Sequence, residues 1–354
     1  MSSRASSAPT IIDVAREAGV SIKTVSRVLN REAGVHEQTR EQVLAVVAQL
    51  KYRPKLSARS LAGARSFLIG LLYYDPSAAF VGGVQKGAAV RCREAGYHLV
   101  VESIENEAPD IETQVDRMVA ALRPDGMILT PPLCDNPQVL KVLSDSGTPT
   151  VLISPGDHDP ALLTVRMDDV HAAQEVTQLL IELGHERIGF IRGARDQAAS
   201  ELRYQGFKLA MEAAGLSVDE ALVYQGDFTF PSGVAGAHHL LGQKGRPTAV
   251  FASNDDMALG VLSAAQRLGL QVPGELSIAG FDDSPAASLV WPPLTTVRQP
   301  IEEMARVAVD MLVTPAAGGD EATPGGRVLP HRLVPRDSTA ALASRAHRPT
   351  AARR

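Results

Sequence analysis

The stretch that decides the fold of the N-terminal region reads Thr10-Ile-Ile-Asp-Val-Ala-Arg-Glu-Ala-Gly-Val-Ser-Ile-Lys-Thr-Val-Ser-Arg-Val-Leu-Asn30. Thr10 and Asp13 have the spacing of a capping box, in which each side chain satisfies a free N–H at a helix start. Gly19 stands where that helix must end, since glycine adopts the left-handed conformation at little cost. Ser21 suits the cap of a second helix. The stretch therefore predicts two short helices joined by a tight turn.

Apolar residues in these helices and in a third helical pattern can form one small core. The third set has the spacing i, i+3, i+4 and i+7 of a single helix face, and Pro54 stops that helix. A three-helix unit is therefore predicted over 10–54, after disordered residues 1–9. The core positions are Val14 and Ala18, then Val25, Val28 and Leu29, then Val43, Val46, Val47 and Leu50.

The opposite face of the second helix carries side chains suited to base edges in a major groove. A capped helical hairpin with a solvated basic face is the alternative. Charge favours DNA: residues 1–65 hold 11 Lys/Arg and 5 Asp/Glu, a net of +6, and the remainder holds 24 and 35, a net of −11. A basic region on an acidic body is typical of phosphate-backbone binding by one domain. The exposed side chains are Ile22, Lys23, Ser26, Arg27 and Asn30.

After Gly63 the pattern becomes an alternation of apolar strand runs and helical stretches. Strands separated by helices predict parallel sheets with helices on both faces. About ten strands are too many for one compact doubly wound sheet, so the 354-residue chain should have an α/β body of two lobes. The strand runs are 67–72, 97–101, 126–129, 149–153, 187–191, about 222–225, 249–252 and 277–281, and helices are expected near 80–95, 110–122 and 170–183.

Polar side chains follow several of these strands, at the carboxyl ends where parallel α/β folds bind ligands. Helix capping is the alternative for each of them, because Asn, Asp and Ser are favoured at caps. Asp255 in particular is expected to cap the helix that follows it. The candidates are Thr130, Ser154, Asn254 and Asp282, together with Arg203 at the start of a helix after a strand.

Several classes of protein are disfavoured by what the sequence lacks. It has no Gly-x-Ser-x-Gly elbow, no phosphate-binding Gly-x4-Gly-Lys-Ser/Thr and no His-Glu-x-x-His. Cys92 and Cys134 are far apart, so buried thiols are expected rather than a disulfide or a zinc site. No signal-peptide pattern or long apolar run occurs. We therefore expect a cytoplasmic protein with no membrane span, no cofactor and no metal. The Ala- and Arg-rich tail 338–354 is expected to be disordered.

The chain resembles the lactose/purine repressor (LacI/GalR-type) family of bacterial transcription regulators. The resemblance covers nearly the whole chain, except for residues at the two ends. The segments that carry it are Asp13-Val-Ala-Arg-Glu-Ala-Gly-Val-Ser21, Thr24-Val-Ser-Arg-Val-Leu-Asn30, Thr39-Arg40, Tyr52-Arg-Pro54, Leu61-Ala-Gly63, Gly184-His185, Arg203-Tyr-Gln-Gly-Phe207, Ala252-Ser-Asn-Asp-Asp-Met-Ala-Leu-Gly260, Gly280-Phe-Asp-Asp283 and Pro293-Leu-Thr-Thr-Val-Arg-Gln299.

The resemblance implies a helix-turn-helix head, a hinge or linker over 55–65 and a periplasmic-binding-protein-like body over 66–337. The chain would cross between the lobes of that body near 165, 297 and 327. Paired hinge helices would enter the minor groove and wedge Leu61 of each chain into a central step. The implied DNA contacts are Thr10, Ile22, Lys23, Thr24, Ser26, Arg27, Asn30, Thr39, Arg40, Ser57, Ala58 and Leu61.

The function implied is a ligand-controlled regulator, taken as a repressor, that binds a palindromic operator as a homodimer. A sugar-like metabolite would bind between the lobes, with Phe228 as a stacking wall and Gln299 as a hinge-side contact. Ser154 departs from the carboxylate of some sugar-responsive members. A solute-binding protein of a transport system and a sugar-processing enzyme are the alternatives. The implied effector contacts are Tyr74, Thr130, Ser154, Arg203, Phe228, Asn254, Asp282 and Gln299.

Overall fold

The computed structural model describes residues 9–29, 34–52, 65–74, 77–156, 159, 161–314 and 326–342. Its contacts divide the chain into two compact units, Met1–Phe67 and Leu68–Arg354. Each unit is described by itself below. The predicted domain boundary at 54 and nearly all of the predicted hinge over 55–65 lie outside the described residues.

The first unit contains helices α1 (Ile11–Glu17), α2 (Ile22–Leu29) and α3 (Glu37–Gln49). The predicted capping box is confirmed, because Thr10 accepts from the Asp13 amide and the Asp13 carboxylate accepts from the Thr10 amide. Gly19, at φ +63°, makes the turn after α1, and the Ser21 hydroxyl accepts from the Thr24 amide at 3.1 Å. Local capping therefore sets the bounds of α1 and the start of α2.

The three helices pack around one apolar core, as the periodicity predicts. Gln42 of α3 donates to the carbonyl of Ala18 at 3.0 Å, which ties α3 to the end of α1. Tyr52, beyond the end of α3, is also buried in this core, and no periodic pattern had included it. The buried members are Val14, Ala15, Ala18, Val25, Val28, Val43, Val46 and Tyr52, with Leu29, Val47 and Leu50 partly buried against them.

The second unit begins with a parallel sheet, which we call the first lobe. Its strands, whose bounds are given below, lie in the order β11-β5-β4-β3-β1-β2, and helices α4, α5, α6 and α12 belong to the same lobe. The elements are β1 (Leu68–Tyr73), α4 (Ala78–Ala95), β2 (His98–Ser103), α5 (Ile111–Leu122), β3 (Gly126–Leu129), α6 (Pro137–Asp145), β4 (Thr150–Ile153), β5 (Leu163–Arg166), α12 (Ile301–Val313) and β11 (Arg327–Val328).

A second parallel sheet, in the order β7-β6-β8-β9, forms the second lobe. A two-stranded antiparallel ribbon of β10 and β12 accompanies it. The α/β fold with two parallel sheets agrees with the sequence prediction. The elements are α7 (Asp169–Glu182), β6 (Ile188–Arg192), α8 (Ala198–Ala213), β7 (Val223–Gln225), α9 (Phe230–Leu241), β8 (Ala249–Ala252), α10 (Asp255–Arg267), β9 (Ser277–Ala279), α11 (Pro285–Leu289), β10 (Thr296–Arg298) and β12 (Arg332–Val334).

The chain passes between the two sheets three times. It leaves the first sheet after Arg166, at the end of β5, and returns after Arg298, since α12 packs on β3, β4 and β5. It leaves again after Val328, because β11 pairs with β5 whereas β12 pairs with β10. Crossings near 165, 297 and 327 had been expected at these parts of the chain. The two sheets are therefore the lobes of one body, and the chain joins them three times.

Both cysteines are buried and free, as expected. No helix in the described part of the chain is long and apolar enough to cross a membrane.

The C-terminal tail is ordered further than its composition suggests. Ser338 is fully buried, and its hydroxyl donates to Ile278 at 2.6 Å and accepts from the Thr295 amide at 2.8 Å. Leu342 donates from its amide to Leu183 at 2.8 Å. The prediction of disorder from 338 onward is therefore wrong for 338–342. Hydrogen bonds of the backbone and of the Ser338 hydroxyl hold this segment against the second lobe. Residues 343–354 lie outside the described part.

His185 also binds this tail, through hydrogen bonds of its buried imidazole ring. Its ring nitrogens lie 2.9 Å from the Thr248 hydroxyl and 3.0 Å from the Ser277 hydroxyl, and Nε2 lies 3.2 Å from the carbonyl of Ala340. Burial lowers the pKa of His185, which favours the neutral imidazole that both accepts and donates. The residue after Gly184 is thus a structural link between the second lobe and the tail.

Candidate functional site

The first candidate surface is the outward face of α2. Val25 and Val28 are buried beneath it, whereas Ile22 is 47% exposed and Lys23 is exposed. Ser26 and Arg27, one turn further along, are partly exposed. A short helix therefore presents a polar and basic face opposite its core stripe, which is the arrangement that a major groove admits.

The start of α1 and the first turn of α3 lie in the same small unit. Thr10 is exposed, and Thr39 and Arg40 are partly exposed. Arg40 lies 3.7 Å from Glu37 within its own helix. Thr24 is partly exposed as well, and its hydroxyl lies 2.9 Å from that of Ser21. The other predicted contacts, Asn30, Ser57, Ala58 and Leu61, lie outside the described residues.

The second candidate site is a cleft in the body. We call its two sides the first-lobe wall (Ser77, Phe80, Pro131 and Ser154) and the second-lobe wall (Gln197, Ala199, Arg203, Phe228, Asn254, Asp282 and Gln299). Six of the eight predicted effector residues line it: Ser154, Arg203, Phe228, Asn254, Asp282 and Gln299.

Arg203 is the positive charge of the second-lobe wall. It is 5% exposed; Nε donates to Asp169 at 2.8 Å and Nη1 donates to the carbonyl of Ser253 at 2.6 Å. Its guanidinium lies 3.8 Å from the centroid of the Phe281 ring. Among the described residues, Nη2 has no hydrogen-bond acceptor. Packing and pairing thus fix the guanidinium while leaving donor capacity at the cleft.

Asp282 is the facing acceptor. Its Oδ1 accepts from Gln299 Nε2 at 2.5 Å and lies 3.9 Å from Nη1 of Arg203. Burial raises the pKa of Asp282 well above its usual range, and the Arg203 charge opposes that rise. Oδ2 has no donor among the residues that the structure describes. The pair therefore offers a donor and an acceptor side by side in a poorly hydrated site.

Asn254, rather than Asp255, caps the helix after β8. The Asn254 side chain accepts from the Met257 amide at 2.9 Å and donates to the carbonyl of Phe228 at 2.9 Å. Asp255 instead accepts from the Ser284 amide at 2.7 Å and from the Thr296 hydroxyl at 2.7 Å. The expectation that Asp255 caps α10 was wrong, because its carboxylate points into the second lobe and joins two neighbouring segments there.

Three residues of the cleft have left-handed backbone conformations that side chains seldom adopt. Ser154 has φ +50°, Phe228 has φ +67° and Asp282 has φ +125°. Such positions cost free energy and persist where the surroundings over-determine them, often at ligand sites. Their concentration around one cleft marks it as a built site.

Two predicted effector residues do not line the cleft. Thr130 is 1% exposed, and its hydroxyl donates to the carbonyl of Leu72 at 3.4 Å. Its neighbour Pro131 lines the cleft in its place. Tyr74 is 40% exposed and is also absent from the lining. Both residues follow strands, so a position after a strand does not by itself decide which side chain reaches the cleft.

Five lining residues were missed by the sequence reasoning. Ser77 and Gln197 each stand at the N-cap position of a helix that follows a strand, so the rule that selected the other residues could have found them. Phe80, Pro131 and Ala199 are apolar and carry no such signal. Ser77 also donates to Asp256 of the second lobe at 3.1 Å, which joins the two lobes beside the cleft.

Comparison with known proteins now places the chain. Residues 10–55 match the model described as bacterial regulatory proteins, lacI family, and residues 177–339 match the periplasmic binding protein-like domain. The regulator RegA of Clostridium saccharobutylicum is 36% identical over 338 residues, 94% of this chain and 99% of the relative. The chain belongs to the lacI family of bacterial regulatory proteins. The family assignment made from the sequence is confirmed.

Other lacI-family members extend the likeness over both units. The ribose operon repressor of Escherichia coli K12 is 35% identical over 86% of this chain and 92% of its own. A solved lac repressor dimer bound to operator and the anti-inducer ONPF aligns with a TM-score of 0.80 at 30% identity, over 95% of this chain and 100% of that one. A CelR–cellobiose complex aligns with a TM-score of 0.70 at 33% identity, over 93% and 99%. The chain is thus a DNA-binding transcription regulator rather than an enzyme.

Proposed function

We propose that this lacI-family regulator is a repressor that binds a palindromic operator as a homodimer and responds to a sugar-like metabolite in the cleft. The observation that carries the effector proposal is the pairing of Arg203 and Asp282. Their Nη2 and Oδ2 atoms, which have no partner within the described ranges, complement a hydroxyl-rich ligand, since one offers N–H donors and the other accepts from hydroxyls. The eight effector positions remain part of this proposal, and two of them, Tyr74 and Thr130, do not line the cleft.

The relatives support a sugar as the effector class. One relative is named a ribose operon repressor, and one aligned structure holds cellobiose. Phe228 and Phe80 also line the cleft, and an aromatic wall suits the apolar face of a sugar ring as well as a nucleobase. A thermal-shift screen of the full chain with pentoses, hexoses, disaccharides and nucleobases tests the assignment. A response to nucleobases alone would overturn the sugar proposal.

The DNA-reading proposal assigns different roles to two basic residues. Lys23 on the exposed face of α2 would donate to base edges, where a good contact gives roughly 1–3 kcal/mol of discrimination. Arg40 in α3 would contact phosphate, which positions the head without reading sequence. Lys23→Ala should therefore weaken operator binding more than random-DNA binding, whereas Arg40→Ala should weaken both alike. Equal losses for Lys23→Ala in a gel-shift titration would contradict its role.

Control of DNA binding would follow from movement of the lobes. β1 of the first lobe follows directly on the linker segment, so a shift of that lobe changes how two linkers can meet on an operator. An effector that binds one lobe arrangement more tightly shifts the population toward it. The remaining assigned DNA contacts, Thr10, Ile22, Thr24, Ser26, Arg27, Asn30, Thr39, Ser57, Ala58 and Leu61, belong to this proposal.

A second copy of the chain would cover an exposed apolar patch of the second lobe. Leu289 is 83% exposed and Trp291 is 80% exposed, and clustered apolar side chains at a surface mark interaction sites. The aligned lac repressor structure is a dimer. Trp291 is the chain's single tryptophan, so its emission should shift to shorter wavelength as the protein associates. A monomer by light scattering at micromolar concentration would refute the dimer.

Specific binding of the full chain to its own upstream DNA is the decisive test. A gel shift that random DNA does not compete, and that the identified sugar changes, would support a cytoplasmic repressor. Sugar binding with no specific DNA binding would instead favour a solute-binding protein. Turnover of the sugar would favour an enzyme.

A further inference from the structure

We propose that His171, Glu175 and His331 form a binding site for one divalent transition-metal ion of the zinc type. His171 and Glu175 stand four residues apart on α7, so they share one face of that helix. His331 comes from the segment between β11 and β12, 156 positions further along the chain than Glu175. This proposal is independent of the function proposed above.

The three side chains already converge. Nε2 of His331 lies 2.9 Å from Oε2 of Glu175, and Nε2 of His171 lies 3.6 Å from Oε1. The candidate ligand atoms all lie within 4.8 Å of one another. Zinc–ligand bonds of about 2.1 Å place the ligands of a tetrahedral site about 3.4 Å apart. A small movement of His171, whose side chain is 59% exposed, would complete the arrangement.

The donor set determines the class of ion. Two imidazoles and one carboxylate suit Zn²⁺, Co²⁺ or Ni²⁺, whereas Ca²⁺ and Mg²⁺ prefer oxygen ligands alone. Three protein ligands leave a fourth position for water. The His331 side chain is only 10% exposed, so one ligand is held by packing and the other two can adjust at the surface.

The location gives the site a mechanical consequence. His331 follows the third passage between the two sheets, and α7 begins just after the first passage. A metal ion on these ligands would therefore tie the third passage to the first helix of the second lobe. Without metal, the Glu175–His331 hydrogen bond at 2.9 Å makes the same connection more weakly.

Cobalt binding to the tag-free, full-length protein tests the proposal. We expect one Co²⁺ per chain, with visible absorption bands of a tetrahedral or five-coordinate site, and displacement of the Co²⁺ by Zn²⁺. His331→Ala and Glu175→Gln should each weaken binding at least tenfold, since loss of an outer-shell partner alone typically costs 10–100-fold. His98→Ala, which removes an exposed histidine of β2, is the matched control and should bind as the wild type does.

A further variant, His171→Ala, tests the site even where a substitution at the buried His331 disturbs folding. His171 is the most exposed of the three ligands, so its loss should leave thermal unfolding without metal unchanged while weakening Co²⁺ at least tenfold. Zinc should also raise the Tm of the wild type and not that of His171→Ala. Affinity within twofold of the wild type in His171→Ala, or no Co²⁺ uptake at all, would overturn the proposal.

Discussion

The two walls of the cleft are built on different principles. The polar groups of the second-lobe wall are bound to one another and to their own lobe, as Arg203 is to Asp169 and Ser253, and Asp282 to Gln299. The first-lobe wall offers hydroxyls and apolar surface, and within the described part of the chain the Ser154 hydroxyl donates to the sulfur of Met304 at 3.9 Å. One wall is thus a preorganised polar framework, whereas the other is mainly an apolar surface with hydroxyls, and we expect the first to orient a ligand and the second to select by shape.

Among these variants, removal of Arg203 from its ion pair with Asp169 should have the largest effect. Arg203→Ala leaves Asp169 buried without its partner, and removal of one member of a buried ion pair costs about 3–5 kcal/mol. Urea unfolding should show that loss in the free energy of unfolding. Ser154→Ala, the matched change on the first-lobe wall, should cost less than about 1 kcal/mol. Similar losses in the two variants would remove the distinction between the walls.

The interior of the second lobe, behind its wall, should also carry a stability penalty near neutral pH. Burial raises the pKa of Asp255 from 3.8 to about 6, so the folded state holds this proton more tightly than the unfolded chain. The proton bound to Asp255 therefore stabilises the folded state fully below about pH 4, and this stabilisation is lost as the pH rises through about 6. A shift of about two pH units corresponds to about 3 kcal/mol.

Asp255→Asn should remove that penalty. The amide can still accept from the Ser284 N–H and can donate to the Thr296 hydroxyl, the two groups that Asp255 now accepts from. The variant should gain stability relative to the wild type between pH 4 and pH 7, by up to about 3 kcal/mol. Thermal unfolding across that range checks the prediction, and a stability difference that does not change with pH would contradict it.

Asp282→Asn should separate ligand binding from folding. The new carboxamide oxygen can still accept from Gln299, and burial raises the pKa of Asp282, so the variant should be at least as stable as the wild type near neutral pH. Loss of the Oδ2 acceptor leaves a ligand hydroxyl without its partner, which should weaken effector binding by about 2 kcal/mol, or roughly 30-fold. Calorimetry with the effector from the thermal-shift screen measures this. Affinity near that of the wild type would mean that Asp282 is part of the framework only.

The smallest effect is expected at the hydrogen bond that joins the two lobes beside the cleft. Ser77→Ala removes the hydrogen bond to Asp256, which should cost about 1 kcal/mol or less. Effector affinity should fall a few-fold if the bond favours the bound arrangement of the lobes. Ser288→Ala, which removes an exposed hydroxyl of the second lobe, is the control. Equal affinities in the two variants would show that the bond does not contribute to binding.

Local sequence signals predicted the first unit well, because the bounds of its helices depend on residues that are close in sequence. Thr10, Asp13, Gly19 and Ser21 each act within three residues, and the structure uses all four as expected. Most central strands were placed to within a residue or two by their apolar runs. The predicted runs did not include β5, β10, β11 or β12, which are two to four residues long and lack the continuous apolar run that marked most of the other strands.

Contacts between distant residues account for what the sequence did not show. The carboxylate of Asp255 joins Ser284 and Thr296, 29 and 41 positions away, so its role could not be read from its place beside a helix. Ser338 is ordered by Ile278 and Thr295. Ser154, Asn254 and Asp282 were found because the end of a parallel strand is a position that both topology and sequence define. Arg203 was found at the start of a helix after a strand, and Phe228 and Gln299 were nominated by the family resemblance.

Three separate connections join the sheets of the body, after Arg166, after Arg298 and after Val328. A body with one connection could swivel freely, but three connections side by side leave bending about a single axis as the easy motion. Ligands of different chemistry would then drive the same rotation. They would differ in how completely they populate its end point, so we expect a response that is graded by affinity rather than divided among several outputs.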